Sequence, residues 1–236
     1  MIGRLRFSGS EQCCILMTDI ADSTMTVFQI ASSEKLRLFY YLFISEMSDI
    51  AVRYEARVVK NAGDGVICYF PRTKDLGNKL AFKQVVDCGL EMIRYRNELN
   101  TRFQKEGLPT INYRVSADFG KHEMSINEKL EVCDIFSSTM NICSKIKLGS
   151  NQLVIGSDLY EIVKVFSQFS FKQKGEYSLD PKRRYPIFLV SENDSQEIVA
   201  ETQNLLENPL VLPRERPIGI GMGPPEQNSR KGGEHS

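Results

Sequence analysis

Tryptophan is absent from this 236-residue chain, and histidine occurs only twice, at His122 and His235. Two histidines leave little material for a histidine-based zinc site or a Ser-His-Asp triad. The six cysteines, at 13, 14, 68, 88, 133 and 143, form no CxxC pair and mostly sit in apolar runs. They read as reduced, small hydrophobic residues of a cytosolic protein, so a cytoplasmic location is expected. Net charge is missing too. Thirty Lys and Arg balance thirty Asp and Glu, so no global field draws nucleic acid or an anionic membrane. No run approaches eighteen apolar residues, and no transmembrane helix is expected. The opening Met1-Ile-Gly-Arg-Leu-Arg6 is followed by neither an apolar core nor a small-residue cleavage site, so a secretory signal is not expected either. What is present, 42% hydrophobic and 25% charged residues, is the make-up of a globular chain able to bury a sizeable core.

Up to about residue 190 strand-like and helix-like segments alternate. Cys13 to Met17 is a short continuous apolar run, as in a strand buried on both faces. From Ser33 to Tyr54 the residues Leu36, Phe39, Tyr40, Phe43, Met47, Ile50 and Tyr54 recur three and four apart, which predicts a long helix capped by Ser32 or Ser33. Arg57 to Lys60 and Val66 to Phe70 read as strands around a tight turn, Asn61-Ala-Gly-Asp-Gly65. A second long helix is expected over Leu76 to Lys105, ending at Gly107. Ile111 to Phe119 alternates like a strand, Gly120 allows a turn, and a further strand follows near His122 to Ile126. Ile135 to Ile146 reads as helical. Leu153 to Ile155, a short helix over Asp158 to Phe166, Phe169 to Lys174 and Ile187 to Val190 complete a domain spanning 1–190. Beyond it, ten of the 29 residues from Asn208 to Ser236 are Gly or Pro, and a largely disordered extension over 191–236 is expected.

Two aspartates stand where strands end. Asp19 closes the apolar run in Met17-Thr-Asp-Ile20, and Asp64 lies at the hairpin tip between two glycines. Strand ends combine rigidity with exposure, and flanking glycines allow close approach. Two carboxylates so held suit Mg²⁺, which takes one or two protein carboxylates together with substrate phosphates. Each residue alone also fits a plainer role: Asp-Gly is good turn chemistry, and an Asp after a strand can cap a helix.

The pair belongs to a larger pattern. Met17-Thr-Asp-Ile-Ala-Asp-Ser-Thr24, Val58-Val-Lys-Asn-Ala-Gly-Asp-Gly65 and Asp134-Ile-Phe-Ser-Ser-Thr-Met-Asn141 follow one another at spacings that resemble the catalytic domain of class III adenylyl and guanylyl cyclases. The resemblance covers roughly residues 10 to 190. It implies an α+β fold with a ferredoxin-like, palm-type, antiparallel-rich sheet. It also implies two Mg²⁺ or Mn²⁺ ions held by Asp19, Asp64 and the Ile20 carbonyl, one activating the ribose 3′-hydroxyl and one neutralising the triphosphate. Backbone amides through Ser23 and Thr24 would hold phosphate oxygens. Lys60 and Asp134 match the base-selecting positions, where a Lys donor and an Asp acceptor suit adenine. Asn141 matches the residue that orients the ribose. The family places its sites at a two-fold interface, so a homodimer is implied, with Asp134, Asn141 and Lys145 of one copy meeting Asp19, Asp64 and Lys60 of the other.

Solvated edge charge is the plain alternative for Lys60, and an N-cap is the plain alternative for Asp134. The chain also departs from the family pattern. Lys145 stands where the family has an Arg that stabilises the pentavalent phosphorus, and so keeps the charge without the planar fork. Ser137 replaces a glycine of the third motif. Ser116-Ala-Asp-Phe-Gly120 stands where G-x-x-x-G is usual. A late phosphate-binding lysine falls among Lys172, Lys174 and Lys182. The expected activity is conversion of ATP to 3′,5′-cyclic AMP and pyrophosphate. The alternatives are a degenerate, nucleotide-binding regulatory domain and a guanylyl cyclase, which Lys60 opposes.

Overall fold

The computed structural model describes residues 6–127, 132–146, 148–180 and 183–193. Strand β1 (Arg6–Ile20) leads through a short helix α1 (Ser23–Phe28) into the long helix α2 (Ser33–Arg53). The hairpin of β2 (Arg57–Ala62) and β3 (Gly65–Phe70) follows, then helices α3 (Lys79–Arg94) and α4 (Arg96–Lys105) and strand β4 (Tyr113–Asn127). The second half adds β5 (Val132–Phe136), α5 (Ser138–Lys145), β6 (Leu153–Gly156), α6 (Ser157–Val163), β7 (Phe169–Asp180) and β8 (Arg183–Glu192). The strands form one sheet in the order β2-β3-β1-β4-β6-β8-β7, with β5 paired to the far end of β4. All pairings are antiparallel except β4 with β6. Read from β4, the first half has the order 4-1-3-2 of a β-α-β-β-α-β unit, the ferredoxin-like arrangement that the resemblance implies. Past Asn193, the expected extension lies outside the described residues.

Alternation along the central strands produces two unequal faces. Cys14, Leu16 and Ile20 of β1, Val66, Cys68 and Phe70 of β3, and Tyr113, Val115, Ala117 and Phe119 of β4 point one way. They bury Phe39, Phe43, Met47 and Ile50 of α2 and Phe82, Val85 and Val86 of α3. Ser32 caps α2, its side chain accepting from the Lys35 amide at 3.2 Å. Cys13, Ile15, Ile67 and Tyr69 point the other way and form a smaller cluster with Met124 and Ile135. Cys13, Cys14, Cys68, Cys88 and Cys143 are buried free thiols, as the apolar surroundings of the cysteines suggest.

Three sequence expectations need correction. The helix expected over Leu76 to Lys105 begins at Lys79, with Asn78 as its cap, and divides into α3 and α4 at the single residue Tyr95, across which the Glu91 and Tyr95 carbonyls still accept from the Tyr95 and Leu99 amides. No turn occurs at Gly120, and β4 runs unbroken for 15 residues. A Cβ at Gly120 would lie 2.0 Å from Thr139 Oγ1, so this glycine exists to let α5 sit on β4. The segment read as one helix from Ile135 to Ile146 is a strand up to Phe136 and a helix only from Ser138. Its cap is Ser137, which accepts from the Met140 amide at 2.9 Å.

Two buried polar groups tie the second half to the sheet. His122 donates from Nε2 to the Cys13 carbonyl and accepts at Nδ1 from the Ser137 hydroxyl, both at 2.8 Å, so the cap of α5 is anchored on β4. Burial holds its pKa below the usual imidazole value, which matches this neutral tautomer. Asp118 is fully buried and accepts from the Phe119 amide (2.9 Å), the Leu159 amide (3.1 Å) and the Tyr185 hydroxyl (2.7 Å). Burial outweighs these donors and pushes the carboxyl up to about 7.

A carboxyl that binds its proton more tightly in the folded state stabilises the fold fully below its unfolded pKa near 4, and that contribution is lost as pH rises through 7. Between pH 5 and pH 8 the loss at Asp118 is expected to be about 3 kcal/mol. Urea unfolding at both pH values tests it: Asp118→Asn should flatten the decline, and equal slopes in the two proteins would show that Asp118 does not titrate in this range.

Candidate active site

The site forms where β1 runs out between its two neighbours. Asp19 lies opposite Gly65 of β3 on one side and opposite Arg114 of β4 on the other. Gly63, at φ 62°, turns the chain between β2 and β3 and leaves Asp64 at the tip. A Cβ at Gly65 would lie 2.0 Å from the Thr18 carbonyl, so only glycine lets β3 approach β1 this closely. The approach brings the Asp64 carbonyl within 3.4 Å of the Ile20 amide, which donates to it. Asp19, Ile20 and Asp64 therefore share one end of a cleft of about 330 Å³, whose wall continues through Asp22, Ser23 and Thr24.

The donors at this end are two carboxylates and a peptide carbonyl position, all hard oxygen. That set fits Mg²⁺ or Mn²⁺ completed by water and phosphate, and it suits thiophilic metals poorly. Among the described residues no cluster of three or more His, Cys, Asp or Glu side chains gathers to cage a metal.

Arg114, which sequence reading missed, is a cation of this cleft. Its guanidinium donates to Asp19 Oδ2 at 2.9 Å, with the side chains 25% and 30% exposed. A signal existed: Arg114 is a charged residue in the alternating run Ile111 to Phe119, but its neighbour is known only once the register of β1 against β4 is known. Asp22 lines the same cleft. It holds a left-handed conformation, φ 53°, at the entry to α1 and makes no side-chain cap.

Of the residues singled out by sequence, Asp19, Ile20, Ser23, Thr24 and Asp64 meet in the cleft. Asn141 and Lys145 do not: both are exposed on α5, which lends the cleft Cys143 and Ser144 instead. Burial pushes the Cys143 thiol well above its usual range, so it serves as an uncharged wall. Lys60 pairs by backbone with Ile67 just after a register shift in β2, and Asp134, in β5, pairs with Ser125 of β4 rather than capping a helix. The side chains of both lie outside the described residues, as does Lys182. Lys172 and Lys174 are exposed on β7, away from the described lining.

The chain matches the family model for the adenylate and guanylate cyclase catalytic domain over residues 6–192. No curated protein matches it. Its fold is similar to the crystal structure of the adenylyl cyclase CyaB from P. aeruginosa, at 19% identity and a TM-score of 0.68, covering 83% of this chain and 99% of that one. It is also similar to the guanylyl cyclase Cya2, at 18% identity and a TM-score of 0.66, covering 84% and 98%. A third similar structure is the guanylate cyclase domain of RhGC from Catenaria anguillulae in complex with GTP, at 17% identity and a TM-score of 0.65, covering 78% and 99%. With a family model that spans both halves of the sheet and the cleft between β1 and β3, the chain belongs to the adenylate and guanylate cyclase catalytic-domain family.

Proposed function

We propose that this domain converts ATP to 3′,5′-cyclic AMP and pyrophosphate, acting as a homodimer with sites at the interface. The observation that carries the reading is the meeting of Asp19 and Asp64 across Gly65 at the end of a polar cleft. Bound there, two divalent ions supply Lewis acidity and charge neutralisation at the triphosphate. Asp19, Asp64 and the Ile20 carbonyl would hold them. The amides around Ser23 and Thr24 would take phosphate oxygens, and Arg114, beside Asp19 at 2.9 Å, would meet the triphosphate charge. Lys60 donates to the adenine ring nitrogen and Asp134 accepts from its exocyclic amine. Asn141 orients the ribose so that the 3′-hydroxyl attacks the α-phosphorus in line with the departing pyrophosphate. The exposed positions of Asn141 and Lys145 on α5, off the cleft of their own subunit, support a site completed by a second copy. Similar structures include both adenylyl and guanylyl cyclases, so GTP is the second reading, and Lys60 favours ATP over it.

Asp19→Ala or Asp64→Ala should abolish cyclic nucleotide formation, assayed by chromatography of the product, while unfolding stability changes by about 1 kcal/mol or less. Persistent activity in either variant would remove the carboxylate pair from the mechanism. ATP should be turned over at least about tenfold better than GTP, a difference of about 1.4 kcal/mol, and Lys60→Glu with Asp134→Cys should erode that preference. Equal kcat/KM for the two nucleotides in the unaltered protein would show that these residues do not read the base. For Lys145→Ala a loss on the order of a hundredfold in kcat with little change in KM is expected, since the cation acts on charge that develops in the transition state. Lys145→Arg should keep or raise the rate, and an alanine variant within about twofold of the starting protein would leave Lys145 no part in the chemistry.

A further inference from the structure

We propose that Tyr177 is a positioning residue for Lys145, presenting its ammonium at the site of chemistry without neutralising it. The proposal rests on the reading of Lys145 given above and deepens it. Lys145 is the last residue of α5, and its Nζ lies 5.9 Å from the centroid of the Tyr177 ring, within cation–π reach. Among the described residues no carboxylate pairs with it.

The ring stands on fixed ground. Tyr177 packs against a buried cluster that includes Ile142 and Ile146 around α5, Val154 of β6, and Tyr185 and Ile187 of β8. It lies directly opposite Tyr185 in the β7–β8 ladder, and the Tyr185 hydroxyl is bound in turn to the buried Asp118. Register shifts on either side, between Gln173 and Gly175 and between Ser178 and Asp180, set this short stretch of β7 apart from the strand around it. Such irregularities re-aim side chains next to functional sites.

The chemistry explains why an aromatic ring, and not a carboxylate, holds this lysine. A carboxylate would cancel the charge and occupy an N–H donor. A ring face attracts the ammonium through its quadrupole and leaves the charge, and the donors turned away from the ring, to anionic oxygens. Lysine also has four rotatable carbons where a guanidinium has a rigid plane, so a lysine at this position gains most from an external guide.

The test is a double-mutant cycle on the full chain with ATP and Mn²⁺ or Mg²⁺, read as kcat and KM separately. Tyr177→Leu should lower kcat about fivefold with KM unchanged, and Tyr177→Phe, which keeps the ring, should recover it. In a Lys145→Ala background Tyr177→Leu should add nothing. The Lys145 ε-methylene proton resonances should move upfield through the ring current in the starting protein and in Tyr177→Phe, and lose that displacement in Tyr177→Leu. Should Tyr177→Leu not fold, Tyr177→Met, of similar reach without a ring, replaces it. Equal losses in both backgrounds, or ε-methylene resonances that ignore the ring, would overturn the proposal in favour of simple packing. If Lys145→Ala is slow while Tyr177→Leu is as fast as the starting protein, the proposal fails and the reading of Lys145 stands. If Lys145→Ala keeps full turnover, both fall.

Discussion

β1 runs between β3 and β4, and its register against both neighbours determines everything at the cleft. Asp19 faces Gly65 on one side and Arg114 on the other because the antiparallel ladders place them there. A slip of one residue along either ladder would turn Asp19 toward the helices and expose the Leu16 and Ile20 side that now packs on α2. The hydrophobic face therefore enforces the register, and the register delivers the carboxylate. Gly65 completes the arrangement, since any side chain would collide with the Thr18 carbonyl and push the Asp64 turn away from Asp19.

The two faces of the sheet divide the labour. One carries the large apolar core under α2, α3 and α4 and gives the domain its stability. The other carries a smaller cluster and is only partly covered by α5. That helix is fastened by polar means: His122 links the Cys13 carbonyl to the Ser137 cap, and the Ser116 hydroxyl donates to the Cys143 carbonyl at 2.8 Å. Hydrogen bonds fix orientation more sharply than apolar contact does, which suits the element on which the proposed roles of Asn141 and Lys145 depend.

The departures from the family pattern then have local answers. Ser137, where the family has glycine, supplies both the helix cap and the hydroxyl that His122 accepts from. Ser116, where the first glycine of G-x-x-x-G is usual, donates its hydroxyl to the Cys143 carbonyl of α5. The departures at 116, 137 and 145 thus all meet on α5.

The sequence by itself determined the chemistry that local chain geometry can hold: a carboxylate at the end of an apolar strand, a Gly-Asp-Gly turn, a capped amphipathic helix, and the order of three motifs. These depend on neighbours a few residues away, so their residue types are diagnostic where they stand. Tertiary structure alone decided the rest. Gly120 looked like a turn because glycine commonly makes one, yet it answers to Thr139 pressing from another segment. The stretch before α5 looked helical because its apolar spacing suits either state, and pairing with β4 made it a strand. Arg114 is legible only beside Asp19, because strand register sets which side chain meets a charge across a sheet, and Tyr177 only beside Lys145, because the packing of α5 against β7 brings them together; neither relation between distant residues is encoded in one segment alone.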